Sequence, residues 1–320
     1  MHSKQISLDF RSPLKISFRA CLVLIGAWLV SGCTTPQGGK LIANFAEATR
    51  TTTANIATAF QTVENHHFQA KVAVAVVTFD PNKGLEPKQF SPLFDGETIS
   101  VRLETLKALS TYANKLSEIV SNNQLEEFDN STKKFGESLI DLAKTPDFEE
   151  QLKRSKTLTT QDIGLFATAI NALGRWYIET RREEIIRDQT KKMHETIKTI
   201  CNLLQKDIGE NRCKGLRALA WDAYGSHLMA LDMWIRNNYK LLQPSDQFSI
   251  IQHFSEILRY RVLTDEALES TYMAIGQLSA THGKLEDAFG ERTTSLAQAI
   301  NSLILEARRV EDFYKDLTKK

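Results

Sequence analysis

A histidine beside a carboxylate on one helical face is the closest this chain comes to metal or acid–base chemistry. His253 precedes Glu256 by three residues and His282 precedes Glu286 by four, so on a helix each pair shares a face. A dinuclear metal bundle needs more, namely Glu-x-x-His from two helices and a further glutamate from each of two others. Here the order is reversed and the set is incomplete. The pairs read as surface ion pairs or packed histidines, and no metal and no cofactor is expected. His66-His67 can turn only one ring inward and has no evident third ligand. The neighbouring carboxylates Glu126-Glu127, Glu149-Glu150 and Glu183-Glu184 diverge by about 100° on a helix, so none forms an acid–base couple. No Gly-x-Ser-x-Gly elbow and no glycine-rich phosphate loop occurs. These readings converge on a chain that is not an enzyme.

Aromatic residues offer a different opportunity. Trp176, Tyr177, Trp221, Tyr224 and Trp234 recur at helical spacing and can line a ligand groove between helices, although packing in a core is the commoner use of such a pattern. Basic pairs such as Arg181-Arg182, Lys191-Lys192 and Arg308-Arg309 have acids within a turn or two. They read as solvated helix faces.

The N-terminus carries the most specific signal. Lys4, Arg11, Lys15 and Arg19 precede the apolar run Ala20 to Val30, and Ser31, Gly32 and Cys33 follow it. Eleven apolar residues fall short of the roughly 20 that span a bilayer. This pattern, ending in Val30-Ser31-Gly32-Cys33, resembles the lipobox of bacterial lipoproteins. The resemblance implies a signal peptide over residues 1–32 that is removed and a Cys33 thiol that is diacylated. More than one acyl chain anchors a protein stably, so the mature chain would be tethered to a membrane and would not span it. Thr34 stands where an aspartate would favour inner-membrane retention, and the resemblance therefore points to the outer membrane, facing the periplasm. Residues 33–40 then read as a flexible tether. Cys201 and Cys213 are the cysteines left over. Twelve positions apart in an oxidising compartment, they are a disulfide candidate, the alternative being two buried thiols on neighbouring helices.

The rest of the chain must position whatever the protein engages. Hydrophobic content of 42% and charged content of 25% are those of a globular domain. The first 32 residues hold four basic groups against Asp9, so the remainder is at −2 from a whole-chain formal charge of +1, and no nucleic-acid partner is expected. Prolines at 81, 87 and 92 mark a linker over 80–97, and Pro146 and Pro244 mark later breaks. Residues 41–146 read as an N-terminal helical region. Within it Ile56, Phe60, Val63, His67, Ala70, Val74 and Val77 make one helical stripe. The β-branched run Val72–Phe79 also suits a strand, but no partner strand exists, so helix is expected.

Residues 147–320 read as a long helical hairpin followed by C-terminal helices. One helix is expected over about 158–206, with the charged stretch Glu179–Lys192 exposed in its middle. Its partner should fold back about residue 209 and bring Trp221 opposite Ile197. Ser245 is placed as the cap of the next helix. Gly276, Gly283 and Gly290 recur every seven residues, which suits either a small-residue ridge or a break near 282–292. Leu296, Ile300, Leu303, Ala307, Val310, Tyr314 and Leu317 keep a coiled-coil register.

The fold class expected is all-α: an elongated antiparallel helical bundle with long, partly coiled-coil-like helices. The expected role is a non-catalytic scaffold or interaction protein of the envelope. Its partners would be the membrane, through the N-terminal lipid, and another envelope protein, with self-association left open. A small-ligand or peptide module using the aromatic groove is the alternative. The lipobox reading predicts that the native polypeptide starts at Cys33 and carries acyl mass, and that Cys33→Ser abolishes both. Intact-mass spectrometry of the membrane fraction checks this, and a native chain beginning at Met1 without acyl mass would overturn it.

Overall fold

The computed structural model describes residues 36–121, 126–144, 159–179, 186–289 and 292–318. Residues 1–35, among them Cys33, and residues 180–185 of the charged run lie outside them. The described chain is an all-α bundle of eight α-helices: α1 Pro36–Thr78, α2 Gly96–Ser121, α3 Glu126–Lys144, α4 Thr160–Glu179, α5 Ile186–Ile208, α6 Gly215–Asn238, α7 Pro244–His282 and α8 Thr293–Thr318. None of these helices is long and apolar enough to cross a membrane.

Helix α1 begins at Pro36, so residues 36–40, expected in the tether, are already helical. The Val72–Phe79 run is helical through Thr78, which agrees with the preference for helix there. Helix α2 runs back along α1. The Leu93 and Phe94 amides donate to the Glu64 carboxylate at 3.0 and 3.1 Å, and at the far end Gly39 approaches Val120.

Two expectations about the middle of the chain are corrected. The stretch expected as one helix over 158–206 is two helices folded against each other. Lys206, near the end of α5, pairs with Asp162, at the start of α4. On one continuous helix those residues would lie about 66 Å apart. Helix α4 ends at Glu179 and α5 starts at Ile186, within the charged run that had read as an exposed helix centre.

The chain also does not reverse at residue 209. Along α7, Thr264 meets Tyr224, Asp265 meets Arg217, the Tyr272 carbonyl meets Gln205, and His282 meets His194. Helix α7 therefore runs antiparallel to α5 and α6 in succession, and those two helices follow one direction along it. The join is a tight jog built on glycines with positive φ, Gly209 at 94° and Gly215 at 58°. A Cβ on Gly209 would collide with the Lys214 carbonyl, and one on Gly215 with that of Asp207. The two glycines that suggested a hairpin thus shift the helix axis instead of turning it. Trp221 accordingly lies against Arg212 and Arg261 and not opposite Ile197.

The break expected near 282–292 is present, since α7 ends at His282, a 3-10 turn spans Leu285–Phe289 and α8 starts at Thr293. Pro244 occupies the first turn of α7 behind Gln243, so Ser245 is not its cap. The register of α8 points inward: Leu296, Ile300, Leu303, Ala307, Val310 and Tyr314 are all buried. Asn55 of α1 donates to the Ala307 carbonyl at 2.7 Å, which fixes α8 to the spine.

Most buried apolar side chains form one large core. Beyond it α1, α6 and α7 continue as a thinner stalk, whose own cluster is Tyr224, Leu228 and Ile257. A buried ion pair sits near the junction. Arg102, 1% exposed, donates from Nε to Asp207 Oδ2 at 2.5 Å and from Nη2 to Oδ1 at 2.8 Å, with Nη1 on the Thr98 carbonyl. Phe60 and Phe94 lie against its guanidinium. Removing one partner of such a pair leaves an uncompensated buried charge, whereas apolar replacement of both can be nearly neutral. Arg102→Ala should therefore lower unfolding free energy by about 3–5 kcal/mol, and Arg102→Met with Asp207→Leu should recover much of the loss. Chemical denaturation of the three proteins tests this, and a single variant as stable as the parent would refute it.

Candidate functional site

Large hydrophobic residues left exposed gather at the stalk. Of the 17 such side chains among the described residues, 14 fall within 68–85 or 229–262. Two groups form helical stripes. On α7, Phe248, Ile251, Leu258 and Val262 share one arc of the helix, and Phe248 is 72% exposed. Phe68, Val72 and Val76 on α1, with Phe79 just past its end, line up along another. Val72, Val76 and Phe79 of the second stripe, with Ala75, Leu85 and Phe90, line an apolar cleft of about 320 Å³. The stripe that begins inward at Ile56, Phe60 and Val63 thus outlasts the core that covers it: Val74, on the same register, is 36% exposed. Met229 and Met233 add exposed apolar surface on α6.

The candidate aromatic groove does not come together as one open site among the described residues. Tyr224 is buried beneath the His66 ring, with centroids 4.2 Å apart, and its hydroxyl meets Thr264 at 2.8 Å. Two guanidinium groups lie against Trp221, Arg261 at 3.7 Å and Arg212 at 4.4 Å from the ring centre. Trp234 is half-buried further along α6. Trp176 and Tyr177 belong to α4, but their side chains lie outside the described residues.

The expected Cys201–Cys213 disulfide is corrected: both are free thiols. Cys201 faces the core from α5, where burial pushes its thiol pKa up to about 12, while Cys213 is exposed in the jog after the helix. One sulfur points inward and the other outward, so the short sequence separation does not bring them together. Cys33 lies outside the described residues.

Neither histidine–carboxylate pair forms as a ligand set. Glu256 accepts from Gln252, and His253 stands edge-on to His227. His282 turns inward, away from Glu286. Its Nε2 lies 2.6 Å from the Tyr112 hydroxyl and its Nδ1 lies 3.3 Å from His194 Nδ1, with the two imidazoles stacked. A neutral imidazole donates on one nitrogen and accepts on the other, so an uncharged His282 can give a hydrogen bond to one neighbour and take one from the other. Burial, reinforced by the nearby His194, depresses its pKa to about 3, and the same burial raises that of Tyr112. No group of three or more metal-ligating side chains is assembled among the described residues.

Sequence reasoning missed this relay because its members lie 88 and 170 residues apart. One signal was present in the seven-residue glycine spacing. A Cβ on Gly283 would come within 2.8 Å of His194 Cε1, and one on Gly276 within 2.8 Å of Gln205 Nε2. The glycines are the seats for those side chains. Beside them, between α5 and α7, two polar clefts of about 390 and 570 Å³ share Asn202 and Gln205.

The buried histidines set an acid sensitivity. His282 and His66 take up protons at about 3 and about 4 in the folded chain, His66 mainly through burial and then through the facing His227, but near 6.5 once unfolded. The unfolded state then binds more protons below pH 6.5, so stability is complete above that value and declines as pH falls toward 4. Each group contributes up to about 1.4 kcal/mol per pH unit in that window. His282→Gln, which keeps an acceptor for Tyr112, should make the decline shallower. Denaturation midpoints measured from pH 7.5 to 4.5 decide it, and an identical slope in the variant would count against this origin.

No protein-family model, no curated protein and no solved structure matches this chain, so its function has to be read from its own surfaces.

Proposed function

We propose that this chain is a non-catalytic helical interaction protein of the bacterial cell envelope, tethered by lipid on Cys33 and engaging a protein partner through its stalk. The observation that carries the reading is the pair of uncovered apolar stripes, Phe248–Ile251–Leu258–Val262 on α7 and Phe68–Val72–Val76–Phe79 along the end of α1. Contiguous exposed apolar surface on a soluble domain marks a contact site more often than an accident. A helical stripe of this kind suits an apolar helix laid along it.

The position of the stripes supports a tether. Helix α1 starts three residues after Cys33 and runs 43 residues, about 65 Å, with the apolar cleft at its far end. A lipid at Cys33 would hold the thick base near the membrane and present the stalk away from it. Outer-membrane attachment and a periplasmic face follow from the lipobox resemblance and Thr34.

The test places a photo-crosslinking residue at Phe248 or Val76 in the chain expressed in its own bacterium. Glu195, which is 78% exposed on α5, serves as the control position. Adducts to a discrete protein from both stalk positions and not from Glu195 are expected, and Phe248→Glu with Ile251→Glu should remove the adduct seen at Val76. An adduct of twice the chain mass would identify the partner as a second copy. Failure of both stalk positions to crosslink, or the same adducts from Glu195, would end this reading.

A further inference from the structure

The geometry points to a separate binding site on the base of the bundle, a cup between α5 and α7 that takes a phosphate group. It uses none of the stalk residues, and it stands or falls independently of the stalk reading. The cup has a volume of about 390 Å³, within the range of small-molecule sites. Its polar lining consists of His194, Lys198, Asn202, Gln205, Ser279 and Lys284, with no carboxylate among the lining residues. Two lysines and a histidine line it, and the one carboxylate paired with either lysine, Glu195 with Lys198, is not part of the lining.

Several donors in the cup are uncommitted. Among the described residues Lys284 has no carboxylate partner, and Lys198 reaches only the exposed Glu195, at 3.5 Å. Such a surface pair contributes little. The Asn202 amide and the Ser279 hydroxyl make no side-chain hydrogen bond within the described chain. The Gln205 amide is anchored by donating to the Tyr272 carbonyl at 3.1 Å, which holds its position at the rim.

The cup exists because of the glycines. Side chains at 276 and 283 would displace Gln205 and His194 and fill the space between the helices. Behind it, stacking on His282 holds the His194 ring in place. The chemistry that matches is a compact anion with several oxygens and more than one charge. Lysine ammoniums neutralise it as point charges, and the amide, hydroxyl and imidazole groups donate to the remaining oxygens.

A phosphate group can come from a soluble ester or from a phospholipid headgroup. The base places the cup toward the start of α1, where the Phe45 ring touches His282, so both sources are within reach. Calorimetric titration of the full chain with inorganic phosphate and with glycerol 3-phosphate tests the first source. Co-sedimentation with vesicles of phosphatidylglycerol in phosphatidylcholine, against phosphatidylcholine alone, tests the second. In each arm the comparison is with Lys198→Gln/Lys284→Gln, which removes two exposed side chains, and with Lys107→Gln on α2.

Saturable one-to-one binding of either soluble anion, weakened roughly tenfold or more in the double variant and unchanged by Lys107→Gln, supports a soluble ester as the source. Anionic-vesicle retention that drops in the double variant alone, without soluble binding, supports a headgroup. Absence of both, or binding of equal strength in the double variant, overturns the proposal.

Discussion

The packing of this molecule depends on one long helix passing over two shorter ones. Helix α7 meets α6 and then α5 in antiparallel order, so the jog between them must displace the chain without reversing it. The positive φ values at Gly209 and Gly215 make that displacement, and the buried Arg102–Asp207 pair ties the end of α5 to α2 two residues before Gly209. A charge pair with almost no exposure contributes little net stability, but it penalises any arrangement that separates the partners. It acts here as a positional pin. With the jog held, α6 continues away from the main core, and α7 must span both base and stalk.

This constraint also explains where polar and apolar surfaces lie. In the base, helices on several sides of α1 and α7 cover their apolar faces, and polar groups that remain inside must find each other. Tyr112, His282 and His194 do so. In the stalk only α1, α6 and α7 remain, and three helices leave outward stripes uncovered. The apolar patch and the lysine-rimmed cup thus belong to different ends of one spine. Cover is scarce at one end, and glycines open a gap at the other.

Periodicity revealed what was local. The inward register of α8, the helical nature of Val72–Thr78 and the break after His282 can all be read from neighbours within a few turns, because burial of one face imposes the 3.6-residue period. Direction was not legible. The Gly209 and Gly215 pair reads equally as a turn or a jog, since only the dihedral angles distinguish them. The end of α4 and the start of α5 fall in a charged run with neither proline nor glycine to mark the division. The cysteines illustrate the same limit, for twelve residues of separation said nothing about which way each sulfur points. Candidate site residues fared similarly. Gly276 and Gly283 were visible as a small-residue ridge, but His194 and Gln205, which the ridge admits, follow from tertiary packing alone.

The division into thick base and thin stalk has a mechanical side. The stalk's private cluster is three buried residues, Tyr224, Leu228 and Ile257, whereas the base shares one extensive core. Cooperative units with few buried contacts open at lower free energy than the whole domain. The outer turns of α6 and α7 can therefore part and close again while the base stays intact. A partner seated on the stalk would then meet a compliant surface carried on a stiff mount, able to change shape locally without sending the change down the spine.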